Sequence, residues 1–571
     1  MGRYLSSSVQ WTTLHRILPL LFYLAAIALT TPHSLSIPLR LSFILYALFV
    51  FWVVWKNVIS NREIINPTST ASSQKFFFYL LIFSMVFLII SRLYLFIRHG
   101  EAPLGYDTGF YLKFVGPGGF ANPPLPTFLH WAALYSLDFS PVTILHGMYV
   151  LIQFLIAGAL YSLARTLTNS SHLALGAILV LLFACSLTQF SAFWWMFYQT
   201  MLAIALLLFT ITLIYRGSWL AIFTGSFGIG IHPITFAPLG IAIILFVLIQ
   251  GTRSLIHRQW TDPETKTIII TSGLMTGLAI LLRGPALFKE GIAYLTNHQF
   301  LISNFPLYEQ PQAAGLFLDF SWFHLTLFYI IPFTILGFFL FFLRMGLFRN
   351  DQKNVIVPRH LLLFLFFSTL FTLAYFPFIY HHRFQIYLDL VIIIFAAYPM
   401  LIFLEYFWQE RLGRVVAILL VSGLVLNTSL ITLTQEPALF PDELENIKAI
   451  AKLAEPQAYA MSTDGRYTPW VYGFSDRETI APGYLYWDRW NLTQWNEFWN
   501  GKSSTRKHEL LKYYNRPLYL FVGKRQGQDL AFQKFIRQDS HFQQINSQVW
   551  RYDPMSITKE EIINLKLQGT N

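Results

Sequence analysis

The chain has 571 residues, of which 55% are hydrophobic, 18% aromatic and only 12% charged, with a formal net charge of +11. Soluble domains carry about 25% charged residues, so this chain cannot cover itself with ionic groups and must face lipid over much of its area. Its basic residues are scattered between apolar segments and build no basic face, which argues against a nucleic-acid partner. A single cysteine, Cys185, excludes an intrachain disulfide.

Arg3 and Arg16 precede the first apolar run, but no small-residue cleavage site follows, and Thr31-Pro32-His33 leads straight into the next hydrophobic segment. The first run therefore reads as a retained span. About thirteen spans near the ~20-residue length of a bilayer crossing can be placed. They fall near 17–31, 39–55, 75–97, 141–164, 172–190, 193–215, 218–231, 234–250, 267–283, 321–343, 360–380, 384–404 and 414–433. The short run at 218–231 joins the next through Ile231-His232-Pro233-Ile234, as in a tight hairpin.

Loop charges set the orientation. With the N-terminus in the cytoplasm, the inside segments hold Arg3, Arg16, Lys56, Arg62, Lys75, Arg165, Arg216, Arg253, Arg258, Lys266, Arg344, Arg349, Lys353, Arg359, Arg411 and Arg414. The outside loops hold few: Arg98, Lys113, Lys289 and Arg383. The bias persists along the chain, so an odd number of spans leaves the C-terminal region outside. The outer face then collects the loop 98–140, the His232-Pro233 tip, the loop 284–320 and the Tyr380-His381-His382-Arg383 turn.

From about 436 to 571 the composition turns polar, over about 136 residues, enough for a separate core. Pro441 to Ile450 reads as a capped amphipathic helix with Asp442 as N-cap. Strand-like runs at 457–461, 518–522 and 548–552 alternate with helix-like runs at 497–499, 508–513 and 530–536, which predicts a small α/β domain.

The candidate chemistry centres on Gly105-Tyr106-Asp107-Thr108-Gly109-Phe110-Tyr111, a turn entering a helix. Asp107 can cap that helix, and a carboxylate walled by aromatics in a long outer loop can also orient or deprotonate an acceptor hydroxyl. Glu101, six residues upstream, is a second carboxylate, although a solvated surface role suits it better. Arg383 offers a planar fork of donors suited to phosphate oxygens, with His381 or His382 beside it. The same Arg would also anchor a helix among headgroups. His232 can reach a lipid phosphate or serve as a hydrogen-bonded packing group. Adjacent histidines with no third ligand make a weak metal case. No Walker A loop, GxGxxG, HExxH or CxxC is present. Ionisable groups are scarce inside the spans, where Arg92 and Asp389 lie near the ends, and this counts against an ion-coupled transporter.

Taken together, the chain resembles the GT-C-fold glycosyltransferases, the dolichyl-phosphate-mannose mannosyltransferase-like superfamily. The resemblance rests on Gly105 to Tyr111, on Asn122-Pro123-Pro124-Leu125, on Gly230-Ile231-His232-Pro233-Ile234-Thr235, and on Tyr380-His381-His382-Arg383-Phe384. It implies a polytopic α-helical membrane protein with a small extracytoplasmic α/β C-terminal domain. Residues 1–60 would be an additional transmembrane hairpin, 61–435 the catalytic domain and 436–571 the soluble domain. The implied activity is inverting transfer of a hexose or pentose from a polyprenyl-phosphate-linked donor to a lipid, glycan or protein acceptor, at the outer face of the cytoplasmic membrane. Asp107 would be the catalytic base or acceptor-orienting acid. Glu101, Tyr106, Lys113, His232, His381, His382 and Arg383 are the candidates for binding substrate. The resemblance fixes no cofactor, and a divalent metal is compatible with the family; Asp107 is followed by Thr108 rather than a second acid, which weakens a two-acid or metal mechanism. Two rivals remain from the residues themselves: a lipid-linked glycan polymerase or ligase, and a polysaccharide or lipid transporter.

Overall fold

The structure is a computed structural model. It describes residues 20–27, 36–60, 71–99, 109, 111, 141–168, 173–195, 198–257, 263–284, 321–344, 357–375, 381–437, 439–462, 467–480, 490, 492–524 and 530–554.

The helices of the apolar part are α1 (Ile37–Ser60), α2 (Ala71–His99), α3 (Pro141–Thr168), α4 (Leu173–Cys185), α5 (Leu187–Trp195), α6 (Tyr198–Tyr215) and α7 (Leu220–Ile231). They continue with α8 (Pro233–His257), α9 (Pro263–Arg283), α10 (Ser321–Arg344), α11 (Pro358–Tyr375), α12 (His381–Trp408) and α13 (Arg411–Thr434). Among the described residues, eight helices are long and apolar enough to cross a membrane, and the broken pair α4–α5 makes up to nine. The helices α7 and α11 and the core of α10 are shorter apolar elements beside them. This is a multi-pass membrane protein.

Every expected span from 39–55 onward coincides with a helix, and the one at 172–190 proves to be two. The first expected span, 17–31, is described only as helix over 20–27.

Lipid exposure sorts the helices. In α13 only 22% of the spanning residues are buried, and Leu412, Leu419, Leu426 and Leu430 lie on its exposed side. By contrast α12 is 94% buried over Phe384–Trp408. Its sequence is apolar around the whole circumference, as befits a helix surrounded by protein. It packs against α1, α3, α4, α5, α10, α11 and α13. Gly337 of α10 lets that helix meet α12 backbone to backbone, since a Cβ there would collide with the Phe395 carbonyl.

The C-terminal part carries α14 (Pro441–Leu453), β1 (Tyr459–Ser462), α15 (Thr468–Phe474), β2 (Glu478–Ile480), α16 (Leu492–Asn500) and α17 (Ser504–Lys512). It closes with β3 (Leu518–Phe521), α18 (Leu530–Gln538), β4 (Phe542–Gln544) and β5 (Val549–Tyr552). The strands form one five-stranded sheet in the order β2-β1-β3-β5-β4. The β1 strand runs parallel to β2 and β3, and β5 runs antiparallel to β3 and β4. An α/β domain is therefore present, with two short strands, β2 and β4, beyond those expected.

One expectation fails at the start of α14. Phe440 is the N-cap, because Pro441 supplies the pre-set first turn and has no N–H to satisfy. The Glu443 carboxylate folds back to accept the Phe440 N–H at 2.9 Å. Asp442 is free of the capping role and pairs with Lys524 Nζ at 2.8 Å.

Side chains alternate across the sheet, so its two faces join different cores. Leu518 and Leu520 belong to a cluster with Trp490, Trp495, Phe498 and Tyr514 inside the C-terminal domain. Tyr519 and Phe521 instead join Leu444, Ile447, Tyr467 and Trp470 in a cluster that also holds Tyr111 and the membrane core. The domain thus rests on the helix bundle through an apolar contact.

Candidate functional site

Gly109 and Tyr111 are in helical conformation and both buried. Gly109 touches α15 directly. A Cβ on Gly109 would collide with the Pro469 carbonyl, and one on Gly473 would collide with the Gly109 carbonyl. Only glycine at both places allows the two backbones this approach. Tyr111 turns toward the bundle, with its ring 5.7 Å from that of Tyr198, which lies 6.0 Å from Tyr149. Tyr149 donates to the Ala192 carbonyl at 3.1 Å and packs on Phe193 at 4.7 Å.

Phe193 and Phe190 of α5 lead to Arg92, whose guanidinium lies 5.9 and 5.2 Å from their ring centroids. Arg92 is 1% exposed. It donates to the Phe183 carbonyl and to Ser91 Oγ, both at 3.4 Å, and its Nε has no partner among the described residues.

The carbonyl that Arg92 caps belongs to a break. Between α4 and α5 the helix bends by 63° at Ser186. Inside a membrane, backbone groups freed by a break must be met by protein. Thr428 Oγ1 of α13 donates to the Cys185 carbonyl at 2.6 Å. Ser186 Oγ accepts the Gln189 N–H at 3.1 Å as an N-cap for α5 and donates to Asp389 Oδ2 at 2.7 Å. Gln189 Nε2 donates to the same carboxylate oxygen and to the Ile386 carbonyl, both at 3.0 Å. Asp389 is fully buried, and its Oδ1 has no partner among the described residues. Nor do Gln189 Oε1, Thr188 Oγ1, His146 Nε2 or either amide atom of Gln153.

His232 joins from the hairpin tip. Its Nδ1 is 2.7 Å from Thr235 Oγ1, and its Nε2 is 3.5 Å from Thr200 Oγ1. Thr235 Oγ1 is in turn 3.2 Å from Tyr387 OH on α12, two residues before Asp389. His232 and Thr235 therefore reach α12 at Tyr387, at the end of the bundle that also holds Asp389. Arg98 marks the same end, donating to the Leu433 carbonyl in the last turn of α13 at 3.1 Å. The opposite end carries Tyr215 and His360 at 2.8 Å, Arg216 on Thr166 Oγ1 at 2.7 Å, and the Arg359–Glu264 pair at 3.3 Å.

The sequence-derived candidates fall unevenly on this map. His232 lies at the same end of the bundle as the cluster, bonded to Thr235. Glu101, Tyr106, Asp107 and Lys113 lie outside the described residues. His381, His382 and Arg383 form the first turn of α12, at the same end of the bundle, and their side chains lie outside the described residues. The loop 284–320 does so too, apart from its first residue.

Arg92, Asp389, Ser186, Gln189 and Gln153 were not singled out as site residues. The signal for them was Ser186-Leu187-Thr188-Gln189, a capping pattern inside an apolar run. It announces a helix start where one continuous span had been expected.

A buried polar atom that nothing met would cost about 1–3 kcal/mol, and Arg92 Nε, Gln189 Oε1 and Asp389 Oδ1 are such atoms among the described residues. The described part of the cluster holds one carboxylate, Asp389. Fold and cluster together define a multi-pass membrane protein with a buried polar centre at one end of its bundle and an α/β domain after its last helix.

No family model and no curated protein matches the chain. Among solved structures, the Archaeoglobus fulgidus oligosaccharyltransferase in complex with Zn and sulfate is similar, with a TM-score of 0.47 and 11% identity over 82% of this chain and 73% of that one. ArnT from Cupriavidus metallidurans bound to undecaprenyl phosphate is similar as well, with a TM-score of 0.46 and 12% identity over 84% of this chain and 98% of that one.

Proposed function

We propose that the chain is an integral-membrane glycosyltransferase of the GT-C type, taking a hexose or pentose from a polyprenyl-phosphate-linked donor to an extracytoplasmic lipid, glycan or protein. The observation that carries this reading is the buried polar centre around Arg92, Ser186, Gln189 and Asp389, at the bundle end that also holds Tyr111, His232 and the start of α12. The residue motifs from Gly105 to Tyr111 and from His381 to Arg383 support it. The excess of Lys and Arg at the opposite end supports an N-terminus in the cytoplasm and a C-terminal domain outside.

In the proposed reaction, Asp107 orients the acceptor hydroxyl and takes its proton as the oxygen attacks the anomeric carbon. The bond from that carbon to the phosphate oxygen breaks, and polyprenyl phosphate leaves with the electron pair. The leaving group needs charge stabilisation more than protonation, the role assigned to Arg383, while His381, His382, His232, Glu101, Tyr106 and Lys113 are the further candidates for binding substrate. One carboxylate suffices, unlike the spaced pair of a glycosidase.

Asp107→Asn is expected to abolish transfer from a polyprenyl-phosphate sugar in membranes while the protein accumulates at the normal level. Undiminished transfer in that variant would overturn the assignment. Movement of substrate in proteoliposomes without a new glycosidic bond would favour transport instead.

A further inference from the structure

Among the described residues, one group of three His, Cys, Asp or Glu side chains brings its ligand atoms within 4.8 Å of one another: His508, Asp539 and His541 of the C-terminal domain. We propose that these three residues bind a zinc-class divalent cation. The proposal stands apart from the reaction assigned to the membrane part.

The donor set has the right chemistry. Two imidazole nitrogens and one carboxylate suit Zn²⁺, with a fourth position left for water. His508 Nε2 is 2.7 Å from Asp539 Oδ2, and His541 Nδ1 is 2.7 Å from Asp539 Oδ1. Ligands on a tetrahedral zinc stand roughly 3.3 Å apart, given bond lengths of about 2.0–2.1 Å. A retreat of the Asp539 carboxylate by roughly half an ångström brings both His–Asp separations to that spacing, and the two imidazoles already lie within 4.8 Å of each other, to be drawn together by the ion.

The surroundings are also those of a metal centre. A ligating histidine usually gives its second nitrogen to a fixed partner, which sets the tautomer. The second nitrogen of His508, Nδ1, lies 2.9 Å from Tyr552 OH on β5, and His508 is fully buried. Its proton therefore has an acceptor once Nε2 binds metal. Asp539 is held by the turn it starts, accepting the His541 N–H at 3.0 Å. The His541 and Asp539 side chains are 20% and 12% exposed, which leaves one side of the site open for entry and for the water ligand.

The ion would join elements far apart in sequence. His508 sits on α17, Asp539 follows α18, and His541 precedes β4, the last strand at one edge of the sheet. Metal binding there would pin α17 to the β4–β5 hairpin and add its binding free energy to the domain's stability.

The test uses the tag-free, full-length protein in detergent, stripped with EDTA, reloaded with zinc sulfate and freed of unbound metal. Metal content is read by mass spectrometry for wild type, Asp107→Asn, His541→Ala and Asp539→Asn. About one zinc per chain is expected in wild type and Asp107→Asn. His541→Ala and Asp539→Asn should hold less than about a tenth of that, and EDTA should lower the thermal midpoint of wild type but not of His541→Ala. Wild type without zinc, or His541→Ala with the wild-type content, would overturn the proposal and leave the three side chains as a hydrogen-bonded cluster only.

Discussion

Asp389 shows at a single residue how this fold combines burial with polarity. An acid with no water around it persists only where donors converge on it, and Ser186 Oγ and Gln189 Nε2 both reach its Oδ2. Asp389→Leu removes that acceptor and strands the Ser186 hydroxyl at the helix break. The expected loss of stability is on the order of 1–3 kcal/mol, read as a lower thermal midpoint in detergent. Asp389→Asn keeps an acceptor oxygen and should lose less. Equal midpoints in all three proteins would mean that this bond does not hold the break. Neither Arg92 nor Asp389 was chosen from sequence, because both lie near span ends where a charge ordinarily reaches water or headgroups. Their burial is decided by α4, α5 and α13 closing around them, which no local pattern records.

At the scale of elements, the ion pair of Glu455 and Arg551 joins the segment after α14 to β5. Arg551 Nε and Nη2 donate to Glu455 Oε1 at 3.1 and 2.9 Å. Partial burial pushes the Glu455 carboxyl up, but the hydrogen bonds it accepts, those from Arg551 included, outweigh burial and hold it below its ordinary 4.5. A depressed carboxyl stabilises the fold above its unfolded value and loses that contribution as the pH falls through its folded value. The thermal midpoint should therefore decline as the pH drops below 4.5, and Glu455→Gln should flatten part of the decline. An unchanged pH profile in that variant would count against the pair.

The helices were legible because a run of about twenty apolar residues has few alternatives to a span. The break at Ser186 shows only as the short capping pattern Ser186 to Gln189, set in a run that is otherwise apolar from Leu173 to Trp195. The strands β2 and β4, at three residues each, are too short to show alternation. The N-cap of α14 was misplaced by two residues, because the proline's preference for the first turn outweighs the capping strength of the Asp that follows. Of the candidate site, the shared end of the bundle was readable from loop charges, whereas its inner polar layer depends on contacts between distant helices.

For the whole molecule, orientation can be measured through Cys185. It is the only cysteine and is buried, so it offers little background to thiol labelling. In a Cys185→Ala background, a cysteine replacing exposed Lys502 should react with a membrane-impermeant maleimide in intact cells. One replacing exposed Glu410, at the turn between α12 and α13, should react only after permeabilisation. The reverse pattern would invert the topology and place the buried polar centre on the cytoplasmic side.

The paired glycines 109 and 473 carry a consequence for biogenesis. They are about 360 residues apart in the chain, yet a side chain on Gly473 would need the space of the Gly109 backbone, and one on Gly109 the space of the Pro469 carbonyl one turn earlier in α15. A contact of such long range forms only after the intervening chain has been made. During synthesis, the segment after α2 leaves the ribosome long before α15 exists to receive it. The seating of Gly109 on α15 must therefore await the C-terminal domain and comes only when translation is nearly finished.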